Sequence, residues 1–235
     1  MNLVIENLVK SYDQKQVLKG INFEFECGKI YALLGRNGAG KTTLFNCLNE
    51  DIDTDSGQFY LIDDSSKKQI DSSDIGYVLS TPVVPEFLTG REFLKFFIDI
   101  NKDKIDNTKT IDDYFDLVKI YKEDRDKLLK EYSHGMKNKM QMLVNIIYNP
   151  NVLLLDEPLT SFDVVVAEDM KKLLKNIKKE RVIIFSTHIM ELALDLCDEI
   201  VILNHGVLEK IDNKDLNNDE FKEKIIASLT GEDND

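Results

Sequence analysis

The chain has 235 residues, 43% of them hydrophobic and 31% charged, which excludes disordered, collagenous and disulfide-dense classes and allows a sizeable buried core. At this length one α/β domain with a smaller lobe is expected rather than two domains. The formal net charge of −13 repels a phosphate backbone, so no nucleic acid is expected as a partner.

Cys27, Cys47 and Cys197 are too few and too scattered for a disulfide framework or a paired zinc site, and a reducing compartment fits them. The opening Met1-Asn2-Leu3-Val4-Ile5-Glu6-Asn7 has no basic stretch followed by an apolar run, so it does not read as a secretory signal. No window approaches the roughly 18 consecutive apolar residues of a membrane-spanning helix. Any membrane role is therefore expected to come through a partner.

In chain order, Ile21, Phe23 and Phe25 alternate with Asn22, Glu24 and Glu26, the pattern of a half-exposed strand. After a Cys27-Gly28-Lys29 turn, residues 30–34 are apolar throughout, as in a strand buried on both faces. Strand-like runs recur at 58–62, 75–79, 152–155, 181–185 and 200–203, separated mostly by helical patterns, so an α/β sheet with crossovers is expected. Between about residues 81 and 150 helical signals take over, opened by the capping box Thr89-Gly90-Arg91-Glu92. Phe93, Leu94, Phe96, Phe97 and Ile98 wrap too far round for one core face, so their helix is either deeply buried or partner-facing. Ser133 caps the next helix, whose Met136, Met140, Leu143, Val144 and Ile147 form a core stripe. Lys171, Lys172, Lys175, Lys178 and Lys179 read as a solvated basic face, and His205 before Gly206 as a turn residue.

The chemistry concentrates at strand ends. Gly35-Arg36-Asn37-Gly38-Ala39-Gly40-Lys41-Thr42 matches the phosphate-loop pattern G-x-x-x-x-G-K-[ST], after a buried strand and before a helix starting near Thr42. Its glycines let backbone N–H groups curl round phosphate oxygens, Lys41 adds charge, and the helix aims its positive end at the same anion. The Thr42 hydroxyl is placed to ligate Mg²⁺. The run 152–155 delivers Asp156 and Glu157 at the sheet's C-terminal edge, where ligands bind in open α/β sheets. Asp156 can hold the Mg²⁺ shell, directly or through water, and Glu157 can polarise an attacking water. A third apolar strand ends in Ser186-Thr187-His188, bringing an imidazole to that edge either to contact the γ-phosphate or to orient the water.

Taken together, these residues resemble the ATP-binding cassette (ABC) ATPases over essentially the whole chain. The resemblance implies a P-loop NTPase (RecA-like) core sheet with a small antiparallel β subdomain, over 1–80 and 151–215. It further implies an inserted α-helical subdomain over 81–150 and a C-terminal helix and acidic tail over 216–235. Tyr12 resembles the aromatic on which adenine stacks, with a core tyrosine as the alternative, and residues 35–43, Thr43 included, resemble the Walker A loop. Asp156 and Glu157 are similar to the Walker B aspartate and catalytic glutamate, Ser161-Phe162-Asp163 to the D-loop, and His188 to the switch histidine. Tyr132-Ser133-His134-Gly135-Met136 stands where the signature motif belongs, with Ser133 and Gly135 retained.

Three places depart from the family pattern. Ser80 stands where a glutamine usually contacts Mg²⁺ and links to the membrane subunit, so its shorter hydroxyl is expected to need a bridging water. His134 and Met136 replace a glycine and a glutamine of the signature, and Phe162 replaces a leucine. The resemblance implies a Mg²⁺-dependent ATPase whose two copies, homodimer or heterodimer, pair head to tail, each signature closing over ATP held by the other. It implies a separate transmembrane permease, with the ATPase cytoplasmic and peripheral on the inner face of the cell membrane. Arg36 and the Tyr-Ser-His-Gly-Met signature resemble exporters of the ABC-2 type; a soluble single-cassette ATPase of cofactor assembly is the alternative.

Overall fold

Strands that are apolar along their whole length need cover on both faces, and this requirement shapes the layers. The computed structural model describes residues 1–63, 66–71, 73–105, 108–159 and 162–211; the expectations for Ser161 and for residues 212–235 lie outside the described residues. The strands are Asn2–Tyr12 (β1), Lys15–Phe25 (β2), Ile30–Leu34 (β3), Ser56–Asp63 (β4), Ser66–Gln69 (β5), Ile75–Val78 (β6), Val152–Asp156 (β7), Val182–Thr187 (β8), Glu199–Asn204 (β9) and Val207–Ile211 (β10). The helices are Lys41–Leu48 (α1), Gly90–Ile100 (α2), Ile111–Leu117 (α3), His134–Tyr148 (α4), Val164–Ile177 (α5) and Met190–Leu196 (α6).

One sheet has the order β10-β9-β3-β8-β7-β6, parallel except for β10 at its edge. A second, antiparallel sheet has the order β2-β1-β4-β5. Every residue of β3, β7 and β8 is buried, and alternate residues feed two different cores. Ile30, Ala32, Leu34, Leu153, Leu155, Ile183 and Phe185 pack with residues of α2 to α6. Tyr31, Leu33, Val152, Leu154, Val182 and Ile184 pack with α1 and the antiparallel sheet. The α/β architecture expected from the sequence is therefore present, with α2, α3 and α4 lying between β6 and β7 in the chain.

Local chemistry accounts for the helix starts. Thr89 accepts from the Glu92 N–H at 3.1 Å while the Glu92 carboxylate accepts from the Thr89 N–H at 2.9 Å, the reciprocal capping box read from the sequence. Ser133 caps α4 by accepting from the Met136 N–H at 3.2 Å, and Met140, Leu143 and Ile147 are buried behind it.

Several readings change. The apolar wrap of α2 is neither wholly buried nor wholly presented: Leu94 is fully covered, Phe93, Phe97 and Ile98 are half-buried, and Phe96 is 57% exposed. The basic face of α5 is not simply solvated, because Lys171 pairs with Glu168 and Asp195, Lys175 donates to the Asp195 carbonyl and Lys178 pairs with Asp198. Strand β1 carries no strand pattern in the sequence, because its register shifts between Ile5 and Leu8 and Leu3, Ile5 and Leu8 are buried without a continuous two-residue period. Strand β5 is exposed throughout and holds its place by pairing with β4, without an apolar pattern to betray it.

The β1 irregularity presses on one residue of β4. Gly57 has φ +92°, and a Cβ there would lie 2.3 Å from the Asn7 carbonyl oxygen. Backbone on that side cannot retreat without breaking the β1–β4 ladder. Gly57→Ala is expected to destabilise the protein by on the order of 2 kcal/mol, seen as a lowered thermal unfolding midpoint; an unchanged midpoint would overturn the steric assignment.

Candidate functional site

Strands β3, β7 and β8 are apolar until their C-terminal ends, and there the polar residues begin. The loop from Gly35 to Gly40 leaves β3 and enters α1 at Lys41, one residue before the start expected from the sequence. Gly40 has φ +109°, and a Cβ at this position would come within 2.8 Å of Val17 Cγ1, so only glycine lets the loop close against β2.

Lys41 is 7% exposed. Its ammonium donates to the Gly35 carbonyl at 2.7 Å and to the Arg36 carbonyl at 3.2 Å, holding the charge at the mouth of the loop. Burial pushes its pKa down, against the pull of the nearby Glu157 and Asp156 carboxylates. Thr42 Oγ1, one residue on, donates to Asp156 Oδ2 at 2.9 Å. The buried Asp156 ends β7 opposite Ser186 of β8.

In the sequence Ser186 stands only as part of the approach to His188. It is fully buried, its hydroxyl donates to Asp156 Oδ1, and it accepts from the Glu157 N–H at 3.1 Å. Glu157 leaves the strand with φ +49°, a left-handed conformation that is uncommon for a residue with a side chain. Its Oε1 lies 3.0 Å from His188 Nδ1. The structure thus brings Lys41, Thr42, Asp156, Glu157 and His188 to one sheet edge. A buried serine between two carboxylate residues has no sequence signature, because a hydroxyl next to an apolar strand end usually just marks the strand's exit.

A cleft of about 600 Å³ opens over this edge. Asn37, Gly38, Gly40, Lys41, Thr42, Thr43, Asp156 and Glu157 line it, as do Ser80 and Tyr12. Tyr12 is 47% exposed, with the Lys10 ammonium 5.5 Å from its ring centre, so the core-tyrosine alternative does not hold. Arg36 and Ala39 face a smaller adjoining cavity of about 310 Å³, which shares Asn37 and Gly38 with the larger one. Thr42, Ser80 and Asp156 all line the cleft and offer two hydroxyls and a carboxylate, hard oxygen donors that suit a Mg²⁺ ion retaining several waters.

Ser133 and Gly135 are not among the residues lining this cleft. Ser133 is exposed at the head of α4 and Gly135 is half-buried within its first turn. Of the D-loop residues, Phe162 packs at the edge of the larger core and Asp163 caps α5 by accepting from the Val166 N–H at 3.0 Å. His205 sits at the β9–β10 turn with φ +47°, as the sequence suggested. Among the described residues no helix is long and apolar enough to cross a membrane.

The family model described as "ABC transporter" matches residues 18–160, from β2 through the phosphate loop and Glu157. An uncharacterized ABC transporter ATP-binding protein, MJ1023 of Methanocaldococcus jannaschii, is 35% identical over 86% of this chain and 74% of its own length. The bacitracin transport ATP-binding protein BcrA of Enterococcus faecalis is 30% identical over 86% of this chain and 66% of its own. The sulfate/thiosulfate import ATP-binding protein CysA of Halalkalibacterium halodurans is 28% identical over 98% and 67%. The fold matches the dimeric post-hydrolysis structure of the ATP-binding cassette MJ0796 bound to ADP and Pi, with a TM-score of 0.75, 19% identity, and coverage of 90% of this chain and 99% of that one.

The exposed ring at the cleft makes a specific demand. Stacking on a base contributes about 1–3 kcal/mol, so Tyr12→Ala is expected to weaken ATP binding by roughly 5- to 100-fold and to leave tripolyphosphate binding nearly unchanged in calorimetric titrations. Equal losses for both ligands would exclude stacking.

Proposed function

Since the chain belongs to the ABC transporter family as an ATP-binding subunit and an ATPase, we propose that it hydrolyses Mg²⁺-bound ATP to drive export through a separate membrane subunit. The observation that carries this reading is the cleft itself, in which a lysine-bearing glycine loop and the two carboxylates at the end of β7 line the same space.

The residue roles follow from their chemistry. Backbone N–H groups of residues 36–42 and the Lys41 ammonium bind the β- and γ-phosphates, with the start of α1 adding its positive dipole end. Thr42 and Asp156, with Ser80 through water, hold Mg²⁺. When bound, the ion neutralises phosphate charge as a Lewis acid. Glu157 Oε accepts the proton of a water as its oxygen attacks the γ-phosphorus, so the bond to the β-phosphate oxygen breaks and ADP and phosphate are the products. His188, engaged through Nδ1 by Glu157, keeps Nε2 for the γ-phosphate or the water.

Ser133 and Gly135 belong to this reaction only if a second chain supplies them, since the cleft of their own chain does not include them. Two chains paired head to tail put the Ser133 end of one α4, another positive dipole end, over the ATP of the other. ATP then favours the closed pair and its cleavage the open one, a two-state element able to work on a membrane partner. That partner places the ATPase on the inner face of the membrane. Export is favoured over import by Arg36 and the Tyr132 to Met136 signature, the features resembling ABC-2 exporters, and by the likeness to the bacitracin transport protein; the likeness to sulfate importers is the competing indication.

Glu157→Gln is expected to keep ATP binding, lose at least about 100-fold in turnover and form an ATP-dependent dimer by light scattering. Undiminished hydrolysis would remove Glu157 from the role of base. Lys41→Ala is expected to lose ATP affinity instead, and tight binding in that variant would remove the loop from the site. Isolation of the protein from native membranes is expected to bring down a polytopic membrane protein, whereas recovery with soluble partners alone would refute the transport reading.

A further inference from the structure

The two strands that carry the reacting groups end side by side, and one hydroxyl joins them. Strands β7 and β8 run parallel with Leu155 opposite Phe185 and Asp156 opposite Ser186. Leu155 and Phe185 enter the core beneath the helices, so one residue later Asp156 and Ser186 share the opposite face, toward α1 and Thr42. There the Asp156 carboxylate is gripped at both oxygens, Oδ1 by the Ser186 hydroxyl and Oδ2 by the Thr42 hydroxyl. The Ser186 oxygen also accepts from the Glu157 N–H at 3.1 Å.

This hydroxyl is wholly buried, and its donor and acceptor capacities are both used on residues of the other strand. The Glu157 N–H it holds belongs to a residue in the left-handed region, φ +49°, a conformation that persists only where surroundings impose it. The turn at Glu157 brings its carboxylate to His188, two residues beyond Ser186 and just past the end of β8. Ser186 therefore touches the backbone of one carboxylate residue and the side chain of the other without itself lining the cleft.

We propose that the buried Ser186 hydroxyl, held between Asp156 Oδ1 and the Glu157 N–H, is the positioning residue that aims both carboxylates of the ATPase site. The proposal rests on reading Glu157 as the base. Removing the hydroxyl takes away one donor to Asp156 and the bond that the Glu157 N–H makes to Ser186, so the turn relaxes and the carboxylate drifts from its aim. Ser186 bonds to Asp156 and Glu157 rather than to the glycine loop, Lys41 or Tyr12, so the larger loss falls on turnover and only a small change in affinity passes through Asp156.

The test compares the full-length wild type with Ser186→Ala, Ser186→Thr, Ser186→Cys and Glu157→Gln. It measures kcat and KM for ATP and, without nucleotide or metal, hydrogen exchange at the Glu157 amide. Ser186→Ala is expected to lose about 10- to 100-fold in kcat with KM within about threefold, while the Glu157 amide exchanges at least about tenfold faster. Ser186→Thr, which keeps the hydroxyl, restores both. If the alanine variant does not fold, Ser186→Cys, a weaker donor of similar size, carries the same paired measurement. Wild-type kcat in either variant, or a loss of kcat without faster exchange at Glu157, overturns the proposal. An inactive Glu157→Gln beside a fully active Ser186→Ala defeats this inference alone; an active Glu157→Gln defeats the reading of the base and leaves the exchange result to stand by itself.

Discussion

Burial of three parallel strands on both faces is the constraint on which the remaining structure depends. Strands β3, β7 and β8 have no residue open to solvent, so each must have a layer above and a layer below. Alternation of side chains then divides the strands between two cores, one built with helices α2 to α6 and one with α1 and the antiparallel sheet. Polar groups are driven to the strand ends, because a charged residue within either core would be desolvated without a partner. The concentration of Lys41, Asp156, Glu157 and His188 at one edge is thus a consequence of how the core is filled.

Close placement of charges at that edge is tolerated because each is held by a neighbour. Lys41 rests on two loop carbonyls, Asp156 accepts from two hydroxyls, and Glu157 meets His188. Neutral donors dominate this shell, which leaves the carboxylates available as charges while fixing where they point. A site arranged this way before its ligand arrives has little reorganisation left to do.

The gathering of residues at the sheet edge is legible wherever it rests on a contiguous pattern. The glycine loop, the paired acidic residues after an apolar run and the histidine after another each lie within a few residues of one strand end, so spacing along the chain sufficed to expose them. Tyr12 is different, because an aromatic at a strand end reads equally well as core or as surface, and only its 47% exposure over the cleft separates the two. The basic face of α5 keeps Lys172, Lys175 and Lys179 exposed as its pattern suggests, but its acidic partners Asp195 and Asp198 come from later in the chain, and nothing in the lysine spacing announces them.

By itself, the sequence determined the α/β class, the order of the apolar strands, the helix caps at Thr89 and Ser133 and the residues of the phosphate loop, since all of these follow from periodicity and neighbours within one or two turns. Only the tertiary structure decided that Ser186 clasps Asp156 and Glu157, that β1 joins β4 across a bulge against Gly57, and that Ser133 lies outside its own chain's cleft. Those facts depend on which strands become neighbours and in what register, a choice set by long-range packing of two cores rather than by any local preference.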